Sequence, residues 1–189
     1  MNIYDPYPES VDVDGEEIPV DFDFDHVLMA FDVLEDHTLM LQDRLKTACI
    51  LLLKHPEADL PHSLADMTAF LNAVMSILPV NKEPTEKLID FHQDAAMIRS
   101  AFFRIGIDLT KDKIHFFQFL ELLADLPKDT ALMRVIDIRS RPIPTVTEHN
   151  REQVAELQRL KAKVAIKLSD EERMRNFAKA LRNSSVLRG

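Results

Sequence analysis

Seven histidines, His26, His37, His55, His62, His92, His115 and His149, are the residues of this 189-residue chain best suited to ligate a metal or move a proton. Their spacing supports neither. No pair stands at the His-Glu-x-x-His interval, and none is arranged with carboxylates as a facial set of ligands. His92 and Asp94 come closest, but residues two apart on a helix point to different faces and chelate poorly. Asp21, Asp23 and Asp25 alternate with Phe22 and Phe24 in a run that resembles a calcium loop. It lacks the glycine at the sixth position and the glutamate at the twelfth that such a loop needs for its turn and its bidentate ligand. A charged strand end leading into a helix accounts for it better, since a helix N-terminus favours nearby acids. Cys49, between Ala48 and Ile50, reads as a small buried hydrophobe rather than a nucleophile.

Composition narrows the chemistry further. One cysteine excludes an internal disulfide framework and a cysteine metal cluster, and it fits a reducing cytosol. Only Gly15, Gly106 and Gly189 are glycine, which excludes phosphate-cradling loops, dinucleotide fingerprints and a sharp nucleophile elbow. No catalytic constellation, metal set or cofactor motif emerges, and the expectation is a non-enzymatic chain. The feature that stands out is aromatic: Phe102, Phe103, Phe116, Phe117 and Phe119 crowd two short helices in a chain without tryptophan. Core packing between those helices explains most of them. Adjacent positions differ by about 100° around a helix axis, however, so at least one ring of Phe102/Phe103 or Phe116/Phe117 faces outward as a partner contact. These five are the candidate partner-binding residues, and methionines 29, 40, 67, 75, 97 and 133 could lend such a surface adaptability or fill the core.

The elements that must position them begin with a β-hairpin over residues 11–20, where Val11, Val13, Ile18 and Val20 alternate with polar residues around Asp14-Gly15. From Asp23 the hydrophobic period changes to about 3.6. A first helix carries Phe24, Val27, Leu28, Phe31 and Leu34, and a second runs from about Leu41 to Lys54 before His55-Pro56 ends it. A third, capped by Ser63 with Asp66 three residues on, continues through Leu78 to Pro79. A fourth is expected from near Thr85 through Leu88, Phe91, Ala95, Ile98, Phe102 and Ile105, stopped by Gly106. The fifth, with Thr110 as cap, holds Ile114 to Leu123. Asp129 caps a short sixth, with Leu132, Val135 and Ile136 inward and Arg134 and Arg139 at the rim. Pro142 and Pro144 make residues 141–147 a linker. Beyond it Val154, Leu157, Leu160, Val164 and Leu168 form a thin seam, and Ser169 with Glu172 opens a last helix through Met174, Phe177 and Leu181.

The fold class is therefore mainly α: a compact helical domain over residues 1–140 with an N-terminal β-hairpin, the linker at 141–147, and a basic C-terminal helical extension over 148–189. The net charge of −9 is unevenly spread. Residues 1–60 hold 15 acids and 3 bases, 61–130 hold 10 and 7, and 131–189 hold 7 and 13. The acidic front repels nucleic acid. The basic rear reads as a solvated helix or a tail folding back on the front, and a nucleic-acid-binding regulator using Arg151 to Lys167 is disfavoured because Glu152 and Glu156 interrupt its basic face. A basic start followed by an apolar run, as in a secretory signal, is missing from Met1 to Asp25, and no stretch has the roughly 20 apolar residues that span a bilayer, so no membrane is expected as a partner.

Three stretches carry a family resemblance in collinear order: YPESVDVDGEEIPVDFDFD, DFHQDAAMIRSAFFRIGIDLT and KIHFFQFLELLADLPKDTALMRVIDIRSRPI. They resemble the small bacteriophage gene-product-fifteen family over most of residues 7–142, with a lysine-rich helix like that at 151–168 often following. The family's central pattern is matched by Asp94 and Ala95 ahead of a helix, by Gly106 to Leu109 at its end, and by Arg139 further on. Where the family usually has tryptophan, this chain has Phe116 and Phe117. The resemblance implies a protein of long-tailed phages or prophages, a siphovirus-type tail assembly chaperone. It would act in the host cytoplasm on the tape measure protein, with the tail tube protein a further partner. A structural tail component retained in the virion is the alternative.

Overall fold

The computed structural model describes residues 4–79 and 87–167. It is mainly α, with a two-stranded antiparallel hairpin at the N-terminal end and a helix at the C-terminal end of the described chain. By its internal contacts the chain divides into two compact units, the first holding Met1–Thr85 and Phe102–Leu126, the second Glu86–Ala101 and Pro127–Gly189.

The first unit opens with β1 (Ser10–Val13) and β2 (Glu16–Pro19), paired with Val11 opposite Ile18 and Val13 opposite Glu16. Asp14 and Gly15 between them take φ values of 54° and 89°, the two positive angles that a type I′ turn requires. Pro19 stands at the open end of the ladder opposite Ser10, where a missing N–H costs least. Residues 20–23 then run between two other parts of the chain. The Asp21 N–H donates to Leu52 O at 2.8 Å, the Phe24 N–H to Ile114 O at 2.9 Å, and the Phe116 N–H to Phe22 O at 2.7 Å. Two strands alone are marginal in water. These bonds tie the chain leaving the hairpin into the helices that follow it.

Those helices are α1 (Phe24–Glu35), α2 (Leu41–Leu52), α3 (Pro56–Asp59) and α4 (Leu64–Ile77). Each long one turns apolar side chains inward: Val27 and Ala30 on α1, where Phe24, Leu28, Phe31 and Leu34 are half-buried, Ala48, Cys49 and Leu52 on α2, and Met67, Phe70, Leu71 and Val74 on α4. Ser63 caps α4, its hydroxyl accepting the Asp66 N–H at 3.1 Å. Proline at its first position starts α3, a single turn that the hydrophobic period alone does not reveal. α6 (Phe116–Ala124) completes the unit. Its cap is not Thr110, whose N–H and hydroxyl both donate to Oδ1 of Asp108. The cap is the His115 side chain, whose Nδ1 accepts the Phe117 N–H at 3.3 Å while Nε2 faces Pro8 O at 2.9 Å.

In the second unit, α5 (Ala95–Arg104) starts ten residues later than the hydrophobic spacing suggests; its last turn belongs to the first unit. Thr85 lies outside the described residues, and Leu88 and Phe91 stand in non-helical chain. Asp90 is the reason. Its Oδ1 accepts the N–H groups of His92 and Gln93 at 3.0 and 2.8 Å, closing a turn that competes with the helix. Gly106, with φ of 87°, ends α5 as expected: its N–H donates to Phe103 O and the Ile107 N–H to Phe102 O, each at 3.1 Å, a Schellman closure. α7 (Ala131–Ser140) is capped by Thr130 rather than Asp129, the Thr130 hydroxyl accepting the Met133 N–H at 3.2 Å. Residues 142–147 have neither helix nor strand and lead to α8 (Arg151–Val164), which packs on α7 through Val154. The last helix expected from Ser169 and Glu172, with Met174, Phe177 and Leu181, and the Leu168 end of the α8 seam lie outside the described residues.

Candidate partner-binding surface

The residues singled out for chemistry are drawn into structural work. Asp94 is not paired with His92 for metal binding. It is almost wholly buried, and its two oxygens meet the guanidinium of Arg139 in a two-pronged ion pair, Nη1 to Oδ2 at 2.5 Å and Nη2 to Oδ1 at 2.9 Å. Arg139 is therefore no rim residue. Nε donates to Val164 O at 2.7 Å and Nη1 also to Leu88 O at 2.8 Å, so one side chain holds the end of α8, the 87–94 segment and α7 together. The Asp90 N–H adds a bond to Oδ2 of Asp94 at 3.0 Å. Burial alone would raise the Asp90 carboxyl, but the N–H of Gln93, Lys87 and the N–H of His92 outweigh it and hold it below its usual range. Sequence reasoning marked Asp94 and Arg139 separately, as family positions. Their pairing has no signal in spacing, since 45 residues separate them.

Of the Asp21–Asp23–Asp25 run, only Asp21 and Asp23 approach one another, joined by His26 to bring three ligand atoms within 4.8 Å. These three are the group best placed to hold a cation among the described residues. Each is already engaged: His26 Nδ1 lies 3.0 Å from Oδ2 of Asp21, Oδ1 of Asp21 accepts the Asp23 N–H, and the Lys113 ammonium sits 2.7 Å from Asp23. That last bond pushes the Lys113 ammonium up. The cleft beside them, about 310 Å³, is bounded by Glu9, Lys54, Lys113 and His115, with acids and bases interleaved. Cys49 is fully buried, and burial pushes its thiol up to about 12, so it stays protonated and inert at neutral pH.

The five candidate phenylalanines separate sharply. Phe102, Phe116, Phe117 and Phe119 are buried in the first unit. Phe119 is sandwiched, its ring stacked at 4.8 Å on Phe24 and at 5.2 Å on Phe102, while Phe116 meets Phe31 edge-on at 6.2 Å. Phe117 meets Phe22 edge-on at 6.2 Å and lies beside Tyr7, whose hydroxyl donates to Glu121 at 2.6 Å. Phe103 is the outlier, 70% exposed near the end of α5. An exposure that sequence spacing did not single out lies at the α1–α2 connection, where Leu39, Met40 and Leu41 are 42%, 76% and 57% exposed in succession. Hydrophobic periodicity could have found it, since Leu39 and Met40 fall between the two apolar stripes.

No curated protein and no solved structure matches the chain. A family model for the bacteriophage Gp15 protein matches residues 3–166, which takes in the hairpin, all the described helices and both members of the Asp94–Arg139 pair. The match covers most of the sequence, and the chain belongs to the bacteriophage Gp15 protein family.

Proposed function

We propose that this phage-family protein is a non-enzymatic tail assembly chaperone that binds the tape measure protein in the host cytoplasm and keeps its long apolar helices soluble until the tail tube protein assembles around them. The observation that carries this reading is the family membership over residues 3–166. Two features support it. Asp94, considered above as a ligand with His92, is instead spent with Arg139 on holding the second unit together. Large apolar side chains, Phe103 and Met40 foremost, stand exposed on an acidic chain of net charge −9, a combination that offers hydrophobic contact while limiting self-association. Phe103 is the member of the phenylalanine cluster placed to touch a partner directly, the other four serving through the core they build.

Co-expression with overlapping fragments of the tape measure protein from the same phage tests the reading. A soluble complex with at least one fragment is expected, and failure to retain any fragment at micromolar concentration overturns it. Mass spectrometry of purified particles tests the transient part of the role: recovery in stoichiometric amount would make the protein a structural tail component instead.

A further inference from the structure

We infer that the α1–α2 connection is a docking surface for a cationic amphipathic helix, an assignment that rests on the proposed function and names the surface and the chemistry of its partner. Single exposed apolar residues are ordinary on a protein surface. Three in succession, Leu39, Met40 and Leu41, are not, because each raises the cost of hydration without a packing return.

The position of Met40 makes the point more strongly. It occupies the N-cap of α2 with no side-chain bond to the helix, where serine, threonine, aspartate or asparagine would satisfy an orphan N–H. The same chain places Ser63 and Thr130 at the N-caps of α4 and α7. An apolar side chain that is 76% exposed at a capping position forgoes stability and gains nothing within the fold. The connection is also braced by its own hydrogen bonds. Oδ1 of Asp36 accepts the Thr38 N–H at 2.9 Å and its hydroxyl at 2.6 Å, and Arg44 Nη1 donates to Leu34 O at 3.0 Å and to Nδ1 of His37 at 2.7 Å. A surface held this way loses little entropy on binding.

Charge selects the occupant. Residues 35–46, which form and flank the connection, contain the acids Glu35, Asp36 and Asp43 against Arg44 and Lys46. Hydrogen bonds from the Thr38 hydroxyl and N–H hold the Asp36 carboxyl below its usual range, so it remains anionic. Arg44 directs its guanidinium inward to Leu34 O and His37. An apolar strip with an acidic margin matches a helix whose apolar stripe is flanked by lysine and arginine. It repels nucleic acid, an anionic membrane surface and a second copy of itself.

The test is calorimetric titration of the full-length protein with the overlapping tape measure fragments, at low and high salt. The variant Met40→Ser is expected to raise the melting temperature, by about 2–4 °C through the new cap, while weakening fragment binding at least tenfold. Opposite signs mean that loss of fold cannot mimic the result. Glu35→Gln with Asp43→Asn should weaken binding severalfold and flatten its salt dependence. Unchanged affinity of Met40→Ser overturns this surface and leaves the chaperone reading intact. Retention of acidic or uncharged fragments only overturns the cationic occupant in the same way. If the wild-type protein retains no fragment, both readings fall.

Discussion

The two units solve the same problem with different chemistry. The first is held by aromatic rings: Phe24, Phe102 and Phe119 stack in series, and Phe31, Phe116 and Phe117 extend the cluster. The second has Leu132, Ile98 and Val154 in its core but gathers its loops on one buried ion pair, with Arg139 serving Asp94, Leu88 O and Val164 O at once. Dispersion and hydrophobic burial are non-directional, so a ring cluster absorbs a change of shape by repacking. A buried guanidinium fork has fixed geometry, and removing one partner leaves the other charged and unsolvated. The first unit should therefore tolerate conservative change, and the second should not.

The largest effect is expected at Arg139. Arg139→Ala should cost about 3–5 kcal/mol in urea unfolding, because Asp94 is left buried without a counter-charge. Arg139→Lys should cost nearly as much, since an ammonium cannot span both carboxylate oxygens and two carbonyls. The double variant Asp94→Leu/Arg139→Met should lose less than the sum of its singles; strict additivity would show that the pair is not the coupling element proposed for it. In the first unit, Phe119→Leu should cost about 2 kcal/mol, from the lost ring contacts and the partly collapsed cavity. A loss as large as that of Arg139→Lys would erase the contrast between the units. Ser63→Ala, which removes the α4 cap, should cost about 1 kcal/mol by the same measurement.

The smallest effect sharpens the comparison at a surface turn of the first unit. Hydrogen bonds from the Thr110 hydroxyl and Lys111 hold the Asp108 carboxyl down at about 2, below its ordinary 3.8. A carboxyl depressed on folding contributes stability above its ordinary value and loses it as pH falls toward the depressed one. Wild-type stability should therefore fall between pH 3.8 and about 2 more steeply than that of Asp108→Asn, followed by acid titration of the melting temperature. Parallel curves for the two proteins would show that this turn contributes nothing to the acid limb.

Much of the first unit was legible from residue order. Asp14-Gly15 turned the hairpin, Ser63 capped α4, and Gly106 closed α5, because each acts on backbone within a few residues of itself. Where spacing misled, a polar side chain had reached a partner that local pattern does not contain. Asp90 bent the chain that Leu88 and Phe91 marked as helix, and His115 took the cap assigned to Thr110 while also bonding Pro8. The candidate surface was only partly legible: Phe103 was named as one of five phenylalanines without being told apart from them, and Met40 was noted only among the methionines.

By itself the sequence determined the helical class, the hairpin, most helix ends and the family, because hydrophobic period, turn chemistry and motif order are properties of neighbouring residues. Only the tertiary structure decided that Arg139 is a buried partner of Asp94 rather than a rim residue, and that four of the five phenylalanines face inward while Phe103 does not. The physical reason is common to both. Whether a charge is solvated or a ring is exposed depends on what packs against it, and here the packing partner lies many residues away along the chain.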